Sequence, residues 1–216
     1  MAKILYLHGI GSGPMSHTPR LLREALPEDT VIAPEIPIRP KEAWEFLMGS
    51  YNMAEDIDLV VGTSLGGFYA MCLGWLDKLL INPAMFADED IRSSIGLGEQ
   101  PFFNERSDGA KTYVIDENFL SELREIRERI YSDRDLWYPD RLNVNALNHT
   151  WAMFGNGDPM FSHHDDFCRF FLPDHASWFE GAHRLEKENI DRDVVPVIRK
   201  ILTGPTAPFI EVFPDD

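Results

Sequence analysis

The chain has only two cysteines, Cys72 and Cys168, among 216 residues. That is too few for a disulfide framework. Both fall in apolar helical patterns that suit a small buried thiol, so a reducing, cytoplasmic setting is expected. Positive charge is scarce as well: 20 Lys and Arg stand against 36 Asp and Glu, a formal net charge of −16. A field of that sign repels phosphate backbones and anionic lipid within a Debye length of about 8 Å, which argues against nucleic acid as a partner. No long hydrophobic run exists. The longest nearly apolar stretch covers residues 68–76 and is interrupted by Gly74, whereas a membrane span needs about 20 residues. The N-terminal apolar run over 4–7 is cut by His8 and Gly9 and is too short for a signal peptide. Repeats and low-complexity tracts are also missing. With 44% apolar and 26% charged residues, disordered, collagen-like and coiled-coil classes fall away, and the length fits a single domain over 1–216.

What remains is a rhythm. Short apolar runs over 4–7, 30–33, 57–61 and 79–81 read as strands, and apolar residues at helical spacing over 18–26, 41–53 and 65–76 read as the helices between them. The strands are continuous apolar runs, not half-polar ones, so they predict a parallel sheet covered by helices on both faces. From about 87 to 145 the rhythm breaks into an insertion with one strand over 112–115 and one amphipathic helix over 117–129. It resumes with strands over 150–154 and 176–179 and helices over 162–171 and 190–202. A proline-rich tail over 204–216 reads as a loosely packed terminus.

Between the third strand and the third helix stands Gly62-Thr63-Ser64-Leu65-Gly66, a G-x-S-x-G in the strand–turn–helix context that gives the pattern its meaning. A serine on such a turn projects its Oγ from the sheet, and the two glycines remove side chains that would collide as strand and helix close up. A hydroxyl becomes a nucleophile only beside a base that is itself oriented. Asp158, after the strand over 150–154, is the expected acid, and His183, after the strand over 176–179, the expected base. Both follow strand C-terminal ends, where open α/β sheets gather ligands. The oxyanion donors expected are the amides of Leu65 and of Ile10, the latter in the His8-Gly9-Ile10-Gly11 loop after the first strand.

These blocks resemble the α/β-hydrolase superfamily and, within it, the small bacterial YqiA/YcfP-like esterases. The resemblance rests on Leu5-Tyr6-Leu7-His8-Gly9, residues 62–70, Ile81-Asn82-Pro83-Ala84, Gly157-Asp158 and Glu180-Gly181-Ala182-His183. It implies an α/β-hydrolase fold with a small lid and esterase or thioesterase activity on a small acyl substrate. Ser64, His183 and Asp158 would form the triad, and no metal or organic cofactor is called for. Two alternatives keep that fold: a catalytically silent binding protein, or an acyltransferase using the same triad. Acyl length and oligomeric state stay open.

Other signals read as structural. Gly9-Ile10-Gly11-Ser12-Gly13 fails the register of a dinucleotide fingerprint, because Pro14 and Ser16 stand where Gly9 or Gly11 would need a glycine five residues on. His163-His164-Asp165-Asp166 reads as a helix start capped by Ser162, since adjacent helical residues diverge too far to share a metal ion. The Glu and Arg residues over 122–129 read as a solvated helix face. Met85, Phe86, Phe102, Phe103, Phe119, Trp137 and Tyr138 belong to a lid core or an acyl pocket, with Met85, Phe86 and Met160 the nominated pocket residues.

Overall fold

A computed structural model describes residues 1–52, 54–132 and 147–205. Trp137, Tyr138, the end of the insertion and most of the tail lie outside the described residues. The main sheet has the order β2-β1-β3-β4-β7-β8, with β1 Lys3–Leu7, β2 Thr30–Ile32, β3 Leu59–Thr63, β4 Lys78–Ile81, β7 Thr150–Gly155 and β8 Ala176–Phe179. Every pairing in it is parallel, as the continuous apolar runs predict. Alternate residues feed two cores. Leu5, Leu7, Val60, Leu80 and Phe154 pack beneath α2 (Pro40–Tyr51), α3 (Leu65–Met71) and α5 (Glu117–Ser132). Ile4, Tyr6, Val61, Leu79 and Met153 meet α1 (His17–Ala25) and α7 (Val195–Thr203) on the other face. Leu5, Leu7, Val60 and Leu80 are fully buried, each contributing roughly 1.5–3 kcal/mol from removal of apolar surface from water. Among the described residues no helix is long and apolar enough to cross a membrane.

The third strand runs two residues beyond the sequence expectation. It also starts two residues later: Ile57 and Asp58 precede it as irregular chain, where Asp58 donates from its amide to Lys3 O at 2.9 Å, and the strand ends against Ser64. The insertion holds two elements the sequence pattern does not announce, α4 (Ala87–Ser94) and β5 (Gly98–Pro101), the latter paired antiparallel with β6 (Thr112–Ile115) in a hairpin. Gly-Glu-Gln-Pro has neither β-branched residues nor alternation, so only its partner strand reveals it.

The charged side of α5 is the expected solvated face at Arg124, Glu125, Glu128 and Arg129, which are exposed, but not throughout. Arg124 and Arg127 both pair with Asp88 of α4, whose side chain is 1% exposed. Glu122 holds Arg39 and accepts from the Lys41 amide at the start of α2. Glu122, Arg124 and Arg127 thus dock the helix on two neighbours. Within α6 (His164–Phe170), the cap also differs from expectation: His163, not Ser162, is the capping residue, and no side chain caps the helix.

Candidate active site

Ser64 occupies the turn between β3 and α3 at φ 54°, ψ −122°, a strained setting for a residue with a Cβ. Its amide donates to Ile81 O at 3.1 Å, and its carbonyl accepts from Ala84 N at 3.1 Å, so the end of β4 braces the turn from one side. The turn is possible only with the flanking glycines. A Cβ on Gly62 would run into the Gly66 carbonyl, and one on Gly66 into the carbonyl of Leu7 in β1. Across the turn, a Cβ on Gly9 would sit 3.3 Å from Ser64 Cβ and 3.7 Å from its Oγ. The loop after β1 therefore lies directly against the serine, with Ile10 next along it.

Asp158 follows β7 and His183 follows β8, and the two side chains meet: His183 Nδ1 lies 2.7 Å from Asp158 Oδ2. An ionised carboxylate only accepts, so the bond fixes the ring proton on Nδ1 and leaves the Nε2 lone pair available. Asp158 is itself held, its Oδ1 accepting from Met160 N at 2.8 Å, and its side chain is 2% exposed while His183 retains 19%. Phe161 stands edge-on to the imidazole with ring centroids 4.9 Å apart. Among the described residues no hydrogen bond joins Ser64 Oγ to His183. Contacts of this kind are often long until a substrate closes them.

Two strands, β4 and β7, separate β8 from β3, so the loop after β8 must cross back to approach the serine. Its crossing is pinned by Asn82, a residue the sequence reading quoted only as part of a resemblance. Asn82 lies just past β4, 3% exposed and at φ 43°. Its Oδ1 accepts from Gly155 N at 2.7 Å, and its Nδ2 donates to Ala182 O at 3.1 Å and His183 O at 3.2 Å. One amide thus ties the ends of β4 and β7 to the backbone of the histidine. That the Asn82 side chain reaches residues a hundred positions along the chain was not readable from its neighbours.

The loop after β1 opens on a small, solvent-open cleft lined by Ile10, Ile36, Ile38, Leu65, Tyr69 and Phe102, with His8 and Arg106 among the other wall residues. Leu65 is the first residue of α3, where an amide has no intrahelical acceptor. His8 shapes the loop: Nδ1 donates to Gly9 O at 3.0 Å, and Nε2 accepts from Ile36 N at 3.4 Å. Burial pulls its pKa below the usual histidine value, consistent with a neutral ring so engaged. The far wall comes from the insertion. Phe103 N donates to Gly11 O at 2.8 Å, and the Arg106 guanidinium lies 4.8 Å over the Phe102 ring. That guanidinium also pairs with Glu35 and Asp108, each at 3.3 Å.

Met85, Phe86 and Met160, nominated from sequence as pocket residues, do not line this cleft. Met85 is fully buried in the core, Phe86 packs against Tyr131, Phe170 and His163, and Met160 is partly exposed after Asp158. Of the insertion's aromatics, Phe102 lines the cleft, Phe119 is fully buried core and Phe103 is 74% exposed.

Behind Phe161 lies a second histidine. His163 Nε2 is 2.9 Å from Asp90 of α4, and Nδ1 is 3.0 Å from Asp166 of α6. Both nitrogens can donate only in the imidazolium. Burial lowers its pKa, but the bonds and charges of Asp90 and Asp166 outweigh burial and leave it above the ordinary value. A raised folded pKa stabilises fully below the unfolded value of about 6.5 and ceases to do so as pH rises through the folded value. The unfolding free energy gap between wild type and His163→Gln is therefore expected to shrink as pH rises from about 6.5 into the alkaline range. A constant gap in urea titrations across that window contradicts this.

The sequence profile of the uncharacterised protein family UPF0227 matches residues 3–186. A UPF0227 protein of Pectobacterium atrosepticum is 27% identical over 106 residues, 45% of this chain and 59% of that protein, so the match spans little more than half of the relative. The solved structures share the fold at low identity. Est1E from Butyrivibrio proteoclasticus has a TM-score of 0.62 at 11% identity, covering 94% of this chain and 89% of its own. Mouse alpha/beta hydrolase domain-containing protein 10 has 0.59 at 14%, covering 92% and 90%. The monoacylglycerol lipase of Paleococcus ferrophilus has 0.57 at 11%, covering 93% and 94%. The fold is thus the α/β-hydrolase fold expected from sequence.

Proposed function

We propose that this chain, which belongs to the uncharacterised protein family UPF0227, is a serine hydrolase that cleaves small acyl esters or thioesters through an acyl-enzyme. The observation that carries the reading is the 2.7 Å bond between His183 Nδ1 and Asp158, on a loop that Asn82 ties to the strand end bracing Ser64. An oriented base and a hydroxyl on a strained turn have little structural purpose together, and their chemistry is acyl transfer.

Ser64 Oγ attacks the acyl carbonyl carbon while His183 Nε2 takes its proton. Asp158 keeps the ring in the productive tautomer and stabilises the imidazolium. The Leu65 and Ile10 amides receive the oxyanion. Collapse of the tetrahedral intermediate breaks the bond to the leaving group, which takes the proton from Nε2. Water, deprotonated by the same histidine, then cleaves the acyl-enzyme, regenerating Ser64 and releasing the acid. Est1E and the lipase, similar in fold, carry names that fit ester cleavage. The test is turnover of 4-nitrophenyl esters of two to six carbons by wild type and by Ser64→Ala. Hydrolysis lost with the serine supports the reading, and equal rates end it. An acyl acceptor other than water would show as faster product release on adding alcohols or amines.

A further inference from the structure

Resting on the hydrolase reading for the step it affects, we propose that His163 is a positioning residue for the base His183, clamped between carboxylates of the insertion and of α6 and acting through the ring of Phe161. The contacts run in one line. Asp90 of α4 faces His163 Nε2 at 2.9 Å, the His163 ring stacks on Phe161 with centroids 5.4 Å apart, and Phe161 stands edge-on to His183 at 4.9 Å. Residues 158–163, which carry the acid Asp158, Phe161 and His163, form neither helix nor strand. Side-chain anchors therefore decide where the Phe161 ring stands. One is the bond from Met160 N to Asp158, and the other is His163. Asp90 is itself fixed, its Oδ2 accepting from Phe86 N at 3.0 Å, and the Phe86 ring closes the remaining side of the imidazole at 5.2 Å.

The clamp depends on charge. A neutral imidazole carries one proton and would turn a lone pair toward either Asp90 or Asp166, so losing the second proton frees one side of the ring and the plane on which Phe161 rests. The charged groups around it are few. Asp166 faces Nδ1 at 3.0 Å and has Arg169 at 3.8 Å, while His164 turns to Asp165 and Trp178. From α5, Arg127 lies over Phe86 and pairs with Asp88 and Glu89, and Tyr131 stays protonated because burial pushes its pKa far up. Beyond Phe161 stand His183 and Asp158. Among the described residues only Asp90 and Asp166 bond the ring. Burial opposes its charge, but those two carboxylates prevail and leave the proton bound above the ordinary histidine range.

The test is kcat and KM for a 4-nitrophenyl ester against pH, in wild type, His163→Gln, Phe161→Leu and the double variant. Glutamine imitates the neutral ring at every pH, with donors on one side and an acceptor on the other. Near pH 6.5, wild-type kcat is expected to exceed that of His163→Gln about 10- to 100-fold, the scale of a slightly misplaced catalytic group. The ratio should fall toward one as pH rises into the alkaline range, with KM unchanged because His163 lies behind Phe161. Once Phe161 is leucine, His163→Gln should alter kcat little. A ratio constant across pH, as loss of packing in parallel with Tm would give, overturns the inference. So does a shift of the acid limb alone, the mark of a through-space charge, or an effect of His163→Gln that survives Phe161→Leu. Should His163→Gln fail to fold, Asp90→Asn carries the same test: an amide that accepts from Phe86 N turns its NH₂ toward Nε2 and favours the neutral ring. Imidazole NMR of His183 without substrate separates this inference from the hydrolase reading. A second pH step in the His183 signals, absent from His163→Gln, upholds the coupling even if wild type shows no turnover, which removes the hydrolase. Turnover with a constant ratio upholds the hydrolase and removes the positioning role, and neither turnover nor a second step removes both.

Discussion

Replacing Ser64 with alanine should lower kcat for a short-chain ester by about 10³- to 10⁶-fold while Tm stays close to wild type. The size follows from the nucleophile's role: without Oγ no acyl-enzyme forms, and what persists is catalysis by the oxyanion amides acting on water. The unchanged fold follows from the turn. Its bracing bonds run through the Ser64 amide and carbonyl, which alanine retains, and the left-handed φ of 54° strains alanine no more than serine. Steady-state rates with circular dichroism of the same sample check both halves, and wild-type-like turnover contradicts the assignment.

Asp158→Asn should cost about 10⁴-fold in kcat with little change in Tm. Asparagine can still accept from Met160 N through Oδ1, so the loop keeps its anchor. If its NH₂ faces His183 Nδ1, the ring proton moves to Nε2, and the nitrogen proposed to take the serine proton then has no lone pair for it. The imidazolium also loses its counter-charge. Rates measured against pH distinguish this from a general loosening: the variant should regain activity at high pH, where hydroxide substitutes for the base, while a structural defect leaves the profile's shape unaltered.

The fold was legible because local pattern and tertiary fate coincide along the main sheet. Ile4 to Leu7 and Val60 to Val61 are apolar on both sides because helices cover both faces, and Gly62 and Gly66 are spaced by the collision their side chains would cause. The order of Ser64, Asp158 and His183 was readable because each follows a strand. Less was readable where residues distant in the chain decide the outcome. Asn82 acts on Gly155, Ala182 and His183, and nothing near residue 82 signals those partners. The cleft lining mixes the loops after β1 and β2, α3 and the insertion, whereas Met85, nominated from sequence, lies in the core and Phe86 packs against it. Arg124 and Arg127 look solvated in sequence for the same reason: Asp88, the acid they bury, lies on another element.

The most direct measurement is intact-mass analysis after exposure to a serine-directed fluorophosphonate, followed by peptide mapping. The account predicts one adduct per chain, located on Ser64, that is absent from Ser64→Ala and strongly slowed in His183→Ala. Folded protein that stays unlabelled, or carries its adduct elsewhere, would contradict it.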